Sequence, residues 1–548
     1  MPPRPVFPAL LGYLSRPVRP REFLVWCALA IALVAFGLAR PGPNLEVDSC
    51  QYLSIAGNFP AGKPGYTSIV HFDTERSHGT VPAPMTTFPS GYPAVIAALD
   101  ASGLTPERSG LAISVVATLA LLSLYWGVGQ RLGIGGLGLR LTILLTFANA
   151  ELLLFSRTIA SEPLFTLLTA TAVLLFSAGL APGVRRGEQW LALLGANALA
   201  GLAYWVRYAG LFLFTAMVVY VALLILRRHQ AALRATLSLA VSAGIIALGL
   251  LRNALLVGNW KGGNDKPVNH PFLGVLGRSP VEIYHLLSGR IGSAHYGLLD
   301  LVLVLACLCV AGMLAAALAR TRHAAPDGTG ATTVLNVVAC YLVVYWAAMV
   351  YAGHVTVISF GPRMFYPLLP LLFLALAIVI TRVQAQLDPR QEGRLVAALV
   401  IMACAYVAVN VRSIVAQPPA SEQYRLVQAA LAEEVAPGRS LGAWIAANIP
   451  AGQVIVATHG QTTGYALKRP TVSLVSREYS TQRWGEPEVR SLMQRYQATF
   501  LILYPGEDPE LYDSPFLSGL LAGVRPPWLT SAARTRGGIQ VLRCALNR

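Results

Sequence analysis

The chain has 548 residues, 55% of them hydrophobic and only 12% charged, and a net charge of +16. A soluble domain carries about 25% charged residues, so this deficit, with repeated apolar runs of about 20 residues, excludes an ordinary soluble enzyme. The positive charge points less to nucleic acid than to arginines in the cytoplasmic loops of a polytopic membrane protein.

Residues 1–22 carry Arg4, Arg16, Arg19 and Arg21 and lack a short apolar core with a cleavage site. They are expected in the cytoplasm, with the first apolar run retained as an anchor. Apolar runs predict eleven spans, near 23–39, 109–127, 139–155, 163–180, 189–205, 208–226, 235–254, 298–319, 333–351, 364–381 and 395–414. Arginines mark every second connection: Arg131 and Arg140, Arg185 and Arg186, Arg227, Arg228 and Arg234, Arg320 and Arg322, then Arg382, Arg390 and Arg394. The positive-inside rule places these loops in the cytoplasm. An odd number of spans then puts the C-terminus outside, across an inner or plasma membrane.

The opposite connections include two long segments, 40–108 and 255–297, and loops of that length are usually functional or disordered. Within the first, FPSGYPAVIAALDASG (88–103) reads as a short amphipathic helix lying along the outer membrane surface. From 416 to 548 the composition changes. SLGAWIAANIP and EPEVRSLMQRY read as helices, and QVIVAT, ATFLILYP and GGIQVLRCAL as buried-type strands. The expected fold class is therefore a polytopic α-helical membrane protein, residues 23–415, with a small extracytoplasmic α/β domain. The seven cysteines show no CxxC, so a zinc ribbon or thioredoxin motif is excluded. Cys50 and Cys544 are expected in one compartment, but no spacing pairs them.

Charged groups near a bilayer are costly and are functional suspects by default. Glu46 and Asp48 follow the first span. Arg157 and Glu162 lie in SRTIASEPLF, Arg207 in YWVRYAG, Arg252 in LRNALLVGN and Arg363 in FGPRMFYPLLPLL. The topology puts all seven on one face. Arginines bind a lipid phosphate by charge-assisted hydrogen bonds, and a carboxylate can deprotonate an attacking hydroxyl. Plainer roles exist for each: a helix cap for Asp48, a dipole partner before Pro163 for Glu162, snorkelling for the arginines. HFDTERSH puts His71, Asp73, Glu75 and His78 together, a pattern that a polar loop tip also gives. His459 follows a strand, where α/β domains often bind ligands, although a turn histidine is commoner. No metal ligand is assigned, and a divalent metal stays open.

On these residues the chain resembles the GT-C superfamily of polyprenyl-phosphate-dependent glycosyltransferases over roughly residues 20–415. It is similar to glycosyltransferase family 39, near the protein O-mannosyltransferases and lipid A aminoarabinose transferases. EVDSCQY resembles the acidic motif of the first external loop, which implies Asp48 as the catalytic base. Many relatives have Asp-Glu-x-x-Tyr there; this chain has Ser49 in place of the second acid, with Glu46 upstream and Tyr52 matching. FPSGYP, with Tyr92, resembles the start of the juxtamembrane helix, and SRTIASEPLF the second acidic motif, which implies Glu162. YWVRYAG stands where the family has its phosphate-binding basic residue, which implies Arg207.

The expected assignment is Asp48, Glu46 and Glu162 as catalytic acids and Arg207, Arg252 and Arg363 on the donor phosphate. Tyr52, Tyr92 and Arg157 are expected in the substrate pocket. The reaction moves a hexose or pentose from a polyprenyl-phosphate donor to a glycan, lipid or protein acceptor, with membrane lipids around it and no nucleic acid. The alternative is a transporter or flippase for an anionic lipid, which needs polar groups at mid-membrane depth; no acid is read in mid-span. A third reading is a scaffold whose outer domain binds cell-wall polymers.

Overall fold

The computed structural model describes residues 16–38, 44–71, 77–264, 270–289, 297–320, 330–355, 360–416, 422–474, 484–505 and 514–545. Helix α1 (Pro20–Leu38) leads to α2 (Val47–Gly57), the short strands β1 (Tyr66–Thr67), β2 (Ile69–Val70) and β3 (Ala83–Pro84), and α3 (Gly91–Asp100). Then come α4 (Pro106–Leu132), α5 (Gly136–Phe147), α6 (Ala150–Ser156), α7 (Glu162–Leu180), α8 (Arg186–Val206), α9 (Gly210–Leu226) and α10 (Ala232–Val257). The bundle ends with α11 (Phe272–Ser288), α12 (Leu298–Arg320), α13 (Ala331–Val355), a 3-10 turn at Pro362–Leu368, α14 (Leu369–Gln384) and α15 (Pro389–Ala416).

All eleven apolar runs are helical. Among the described residues, seven helices are long and apolar enough to cross a membrane, or eight if α5 and α6 form one bent span. The seven are α4, α7, α10, α12, α13, the stretch Pro362–Gln384 and α15; the runs expected at 23–39, 189–205 and 208–226 are α1, α8 and α9, outside that set. Caps explain several boundaries. Thr105 accepts from the Arg108 N–H ahead of Pro106, and Gly133 closes α4 in the left-handed conformation.

The third expected span is broken by 60°. Asn149 caps α6 by accepting from Leu152 N–H at 2.9 Å, and its amide donates to the Leu286 carbonyl and the Tyr406 hydroxyl, both at 2.9 Å. A side chain that serves as cap and cross-link competes with helix continuation. The expected helix at 88–103 is α3. Gly91 opens it where a Cβ would lie 2.4 Å from the Trp205 carbonyl oxygen, so α3 abuts the end of α8.

The C-terminal domain adds α16 (Glu422–Ala432), β4 (Glu434–Ala436), β5 (Arg439–Ser440), α17 (Leu441–Asn448), β6 (Ile455–Ala457), α18 (Gly460–Leu467), β7 (Thr471–Ser473), α19 (Glu486–Arg495), β8 (Phe500–Leu503), α20 (Pro515–Ala522), β9 (Leu529–Arg534) and β10 (Gln540–Cys544). The three expected strands and both expected helices are present; β4, β5, β7 and β9 are additional. The six-stranded sheet runs β2-β7-β6-β8-β10-β9, with the first four strands parallel. Strand alternation builds two cores. Ile455, Ala457 and Ile502 face Val427, Leu441 and Ile445, whereas Val456, Leu501 and Leu503 face Val489, Leu492 and Met493.

One boundary differs from expectation. Strand β2 comes from the first long loop, yet it pairs with β7 as Ile69–Thr471 and Val70–Val472. Tyr465 on α18 donates to Glu107 at 2.8 Å, and Ser77 hydrogen-bonds Tyr496. The loop that carries the first acids is therefore braced by the C-terminal domain. All seven cysteines are free thiols, with Cys50 and Cys544 both buried and unpaired.

Candidate active site

Helix α2 begins at the acidic motif. Asn44 forms a parallel bridge with Thr158 and donates from its side chain to Thr158 Oγ1 at 3.0 Å. Ser49 Oγ accepts from the Glu46 N–H at 3.0 Å and donates to the Ile159 carbonyl at 2.7 Å. These bonds fasten the start of α2 to the 157–161 turn, and so bring the two acidic motifs together.

Ser49, where relatives of the resembled family often keep an acid, is thus a fully buried strut. Ser49→Asp is expected to lower the thermal midpoint. An ionised carboxylate cannot donate to Ile159 and leaves a buried group unsatisfied, at a cost of about 1–3 kcal/mol. A thermal scan that matches wild type would remove Ser49 from this role.

Two arginines close the centre. Arg363 Nη2 lies 2.6 Å from Asp48 Oδ2 and 2.8 Å from Glu162 Oε1, and its Nε donates to the same Glu162 oxygen at 3.0 Å. Arg207 Nη1 lies 2.7 Å from Glu162 Oε1 and donates to Ser161 Oγ at 2.9 Å. The Tyr52 hydroxyl is 3.0 Å from the same Ser161 oxygen. A continuous polar network therefore runs from Tyr52 through Ser161, Arg207, Glu162 and Arg363 to Asp48. Arg363 Nη1, and Nε and Nη2 of Arg207, have no partner among the described residues.

Local sequence places both cations. Arg207 is the extended residue that ends α8, so its side chain leaves at the turn before α9. Arg363 lies in FGPRMFYPLLPLL, where Pro367 and Pro370 withhold N–H donors and an α-helix cannot start before Leu369. The span expected from 364 instead opens with a 3-10 turn, and this turn presents the guanidinium.

Exposure separates the two acids. Asp48 is 23% exposed and Glu162 1%, so Asp48 is partly accessible while Glu162 is enclosed and holds both arginines. Glu46, the residue capping α2, accepts from the Asn44 amide at 3.3 Å. Burial pushes its carboxyl up, against the pull of Arg363, and the neighbouring Asp48 adds to the rise. Burial, with Asp48 nearby, also pushes the Tyr52 phenol up, so Tyr52 stays a neutral hydroxyl.

The remaining expected residues take different places. Tyr52 and Tyr92 pack edge to face with centroids 5.0 Å apart and are 2% and 0% exposed, so they support the network from within. Arg252 is not brought to the centre: its Nη2 donates to the Gly65 and Met85 carbonyls at 3.2 Å each and braces the first loop. Arg157 is buried at the end of α6. Asp73 and Glu75 lie outside the described residues, among which no group of three or more His, Cys, Asp or Glu could hold a metal. His459 precedes α18 and packs against Tyr504 with centroids 5.3 Å apart.

Sequence reasoning missed Asn44, Ser161 and Glu151. Ser161 carried a signal, as the residue ahead of a Glu-Pro helix start. Glu151 is a buried acid inside the run expected as the third span, which the reading passed over. It sits in the first turn of α6, just past the bend.

An open apolar groove of about 340 Å³ begins at the turn that carries Arg363. Phe365 and Leu368 of that turn line it, with Ile283 and Leu287 of α11, Trp346 of α13 and Leu372 of α14.

No protein-family profile and no curated protein sequence match the chain. Solved structures do. ArnT from Cupriavidus metallidurans, also solved bound to undecaprenyl phosphate, superposes with a TM-score of 0.54 over 95% of this chain, at 14% identity and covering 97% of ArnT. An oligosaccharyltransferase from Archaeoglobus fulgidus, AglB, in complex with an inhibitory peptide and a dolichol-phosphate, gives 0.54 at 10% identity, over 88% of this chain and 69% of AglB. The mycobacterial arabinofuranosyltransferase AftD gives 0.52 at 16% identity, over 96% of this chain and 42% of AftD. At these identities the likeness is one of fold: this chain has the fold that ArnT, AglB and AftD share.

Proposed function

We propose that the chain transfers one sugar from a polyprenyl-phosphate carrier to a hydroxyl-bearing acceptor outside the cytoplasm. One observation carries the reading: a single turn, Pro362–Leu368, supplies Arg363 to the cluster of carboxylates and arginines and Phe365 and Leu368 to an apolar groove. That juxtaposition fits an amphiphile with an anionic head and a long hydrocarbon tail. The free nitrogens of Arg363 and Arg207 meet the phosphate, and the tail lies in the groove. The undecaprenyl and dolichol phosphates bound by the neighbours of this fold are of that chemistry. The arginines of alternate loops support a site on the outer face.

Asp48 takes the proton of the acceptor hydroxyl as the oxygen attacks the anomeric carbon. The new carbon–oxygen bond forms while the bond to the lipid phosphate breaks. The phosphate leaves with the electron pair, and the arginines stabilise its growing charge. Glu162 is a positioning residue that holds both guanidiniums.

Purified protein in liposomes, supplied with undecaprenyl-phosphate sugars, is expected to release free undecaprenyl phosphate in the presence of an acceptor, read by mass spectrometry. Lipid moved between leaflets without consumption would favour the transporter reading instead. Leu372→Trp fills the groove and is expected to raise KM about tenfold for a long-chain donor. That corresponds to about 1.4 kcal/mol, less than two buried methylenes at about 0.8 kcal/mol each. A short prenyl donor should be unaffected, and equal effects on both would detach the groove from the tail.

A further inference from the structure

We infer that Arg363 takes the place of a divalent cation between Asp48 and Glu162, so that the centre works without a bound metal. The inference deepens the proposed reading at the same site. Two carboxylates that face each other can seat a bridging divalent ion, held by oxygens at about 2.0–2.6 Å. Here a single nitrogen does the bridging. Arg363 Nη2 is 2.6 Å from Asp48 Oδ2 and 2.8 Å from Glu162 Oε1, hydrogen-bond distances to both oxygens at once.

A dication fits poorly beside it. Glu162 Oε1 already receives Arg207 Nη1 at 2.7 Å and Arg363 Nε at 3.0 Å. Glu46 also lies within electrostatic reach of Arg363 and Asp48, and Glu162 Oε2 is buried without a hydrogen-bond partner, but the bridging position itself is filled: an ion between Asp48 Oδ2 and Glu162 Oε1 would have to displace a permanent cation. The arginine also keeps Nη1 without a partner among the described residues, directed neither to Asp48 nor to Glu162. The guanidinium can therefore hold both acids and still meet an anionic head group. A metal coordinated by the same two oxygens supplies charge but no such donor fork.

Manganese binding to the detergent-solubilised full chain, with no substrate present, tests the inference by electron paramagnetic resonance. After removal of adventitious ions, wild type is expected to show no saturable site up to about 1 mM Mn²⁺, the weak end of protein cation sites. Arg363→Met should gain one Mn²⁺, and the double variant Arg363→Met/Asp48→Asn should lose it again. Wild-type binding that disappears in Asp48→Asn would overturn the inference, as would a folded Arg363→Met that binds nothing. If Arg363→Met does not fold, wild type against Asp48→Asn decides alone: a site lost with Asp48 refutes, and no wild-type site supports. Sugar transfer does not enter the readout, so failure of the transferase reading leaves this result standing.

Discussion

Asp48→Asn is expected to lower sugar transfer by about 10²–10⁴, the usual contribution of a positioned general base, with the fold intact. The amide keeps the shape and can still accept from Arg363, but it cannot take a proton. Arg363 retains Glu162 through two nitrogens at 2.8 and 3.0 Å, so the anchor of the arginine survives. The loss should fall on kcat, with the donor KM nearly unchanged, because Asp48 meets the acceptor rather than the phosphate. Initial rates over a donor titration, with a thermal scan beside them, check this. Transfer within a factor of a few of wild type would leave Asp48 as a mere ion-pair partner and the base unassigned.

Glu162→Gln is expected to act differently and to cost stability as well. The carboxylate is 1% exposed, and one of its oxygens takes three contacts from two arginines. Removing one member of a fully buried ion pair costs about 3–5 kcal/mol; here the cost falls below that range, because Arg363 is 34% exposed and keeps Asp48 at 2.6 Å, and Arg207 is the cation left without an acid. The two guanidiniums would also repel each other. The thermal midpoint should therefore fall by several degrees, and the donor KM should rise as the phosphate-facing nitrogens lose their alignment. Glu162→Asp, which keeps the charge, should recover part of the stability. A Gln variant with wild-type midpoint and KM would show that Glu162 does not hold the arginines. The two acids are then separable by experiment: kcat follows Asp48, and stability with donor affinity follows Glu162.

The C-terminal domain is joined to the first loop. Strand β2 crosses from the first loop into the C-terminal sheet, and Tyr465 reaches Glu107 at the start of α4. The domain thereby braces the loop that holds α2 and Asp48. The four letters around Ile69 give no hint of this, because two-residue strands are stabilised by the sheet that receives them rather than by their own pattern.

The sequence by itself determined the helices, since an apolar run of span length carries its own periodicity, backbone hydrogen bonds and boundaries. Seven of the eleven expected spans are helices long and apolar enough to cross a membrane, or eight with the bent pair; three strands of the C-terminal sheet and the two acids that meet at the centre were legible too. It could also collect the arginines at span ends. It could not rank them, because Arg252 and Arg363 look alike as letters: each is a lone cation beside an apolar run. Only the tertiary structure decided that Arg363, 315 residues from Asp48, bridges the carboxylates, while Arg252 is spent on two loop carbonyls. Tertiary contact likewise turned Ser49 from a missing acid into a strut, and buried Tyr52 at the end of the network with Tyr92 packed against it. The physical reason is range. Helix formation is settled by neighbours one turn away, whereas the partner of a charge is settled by which distant turn packs against it.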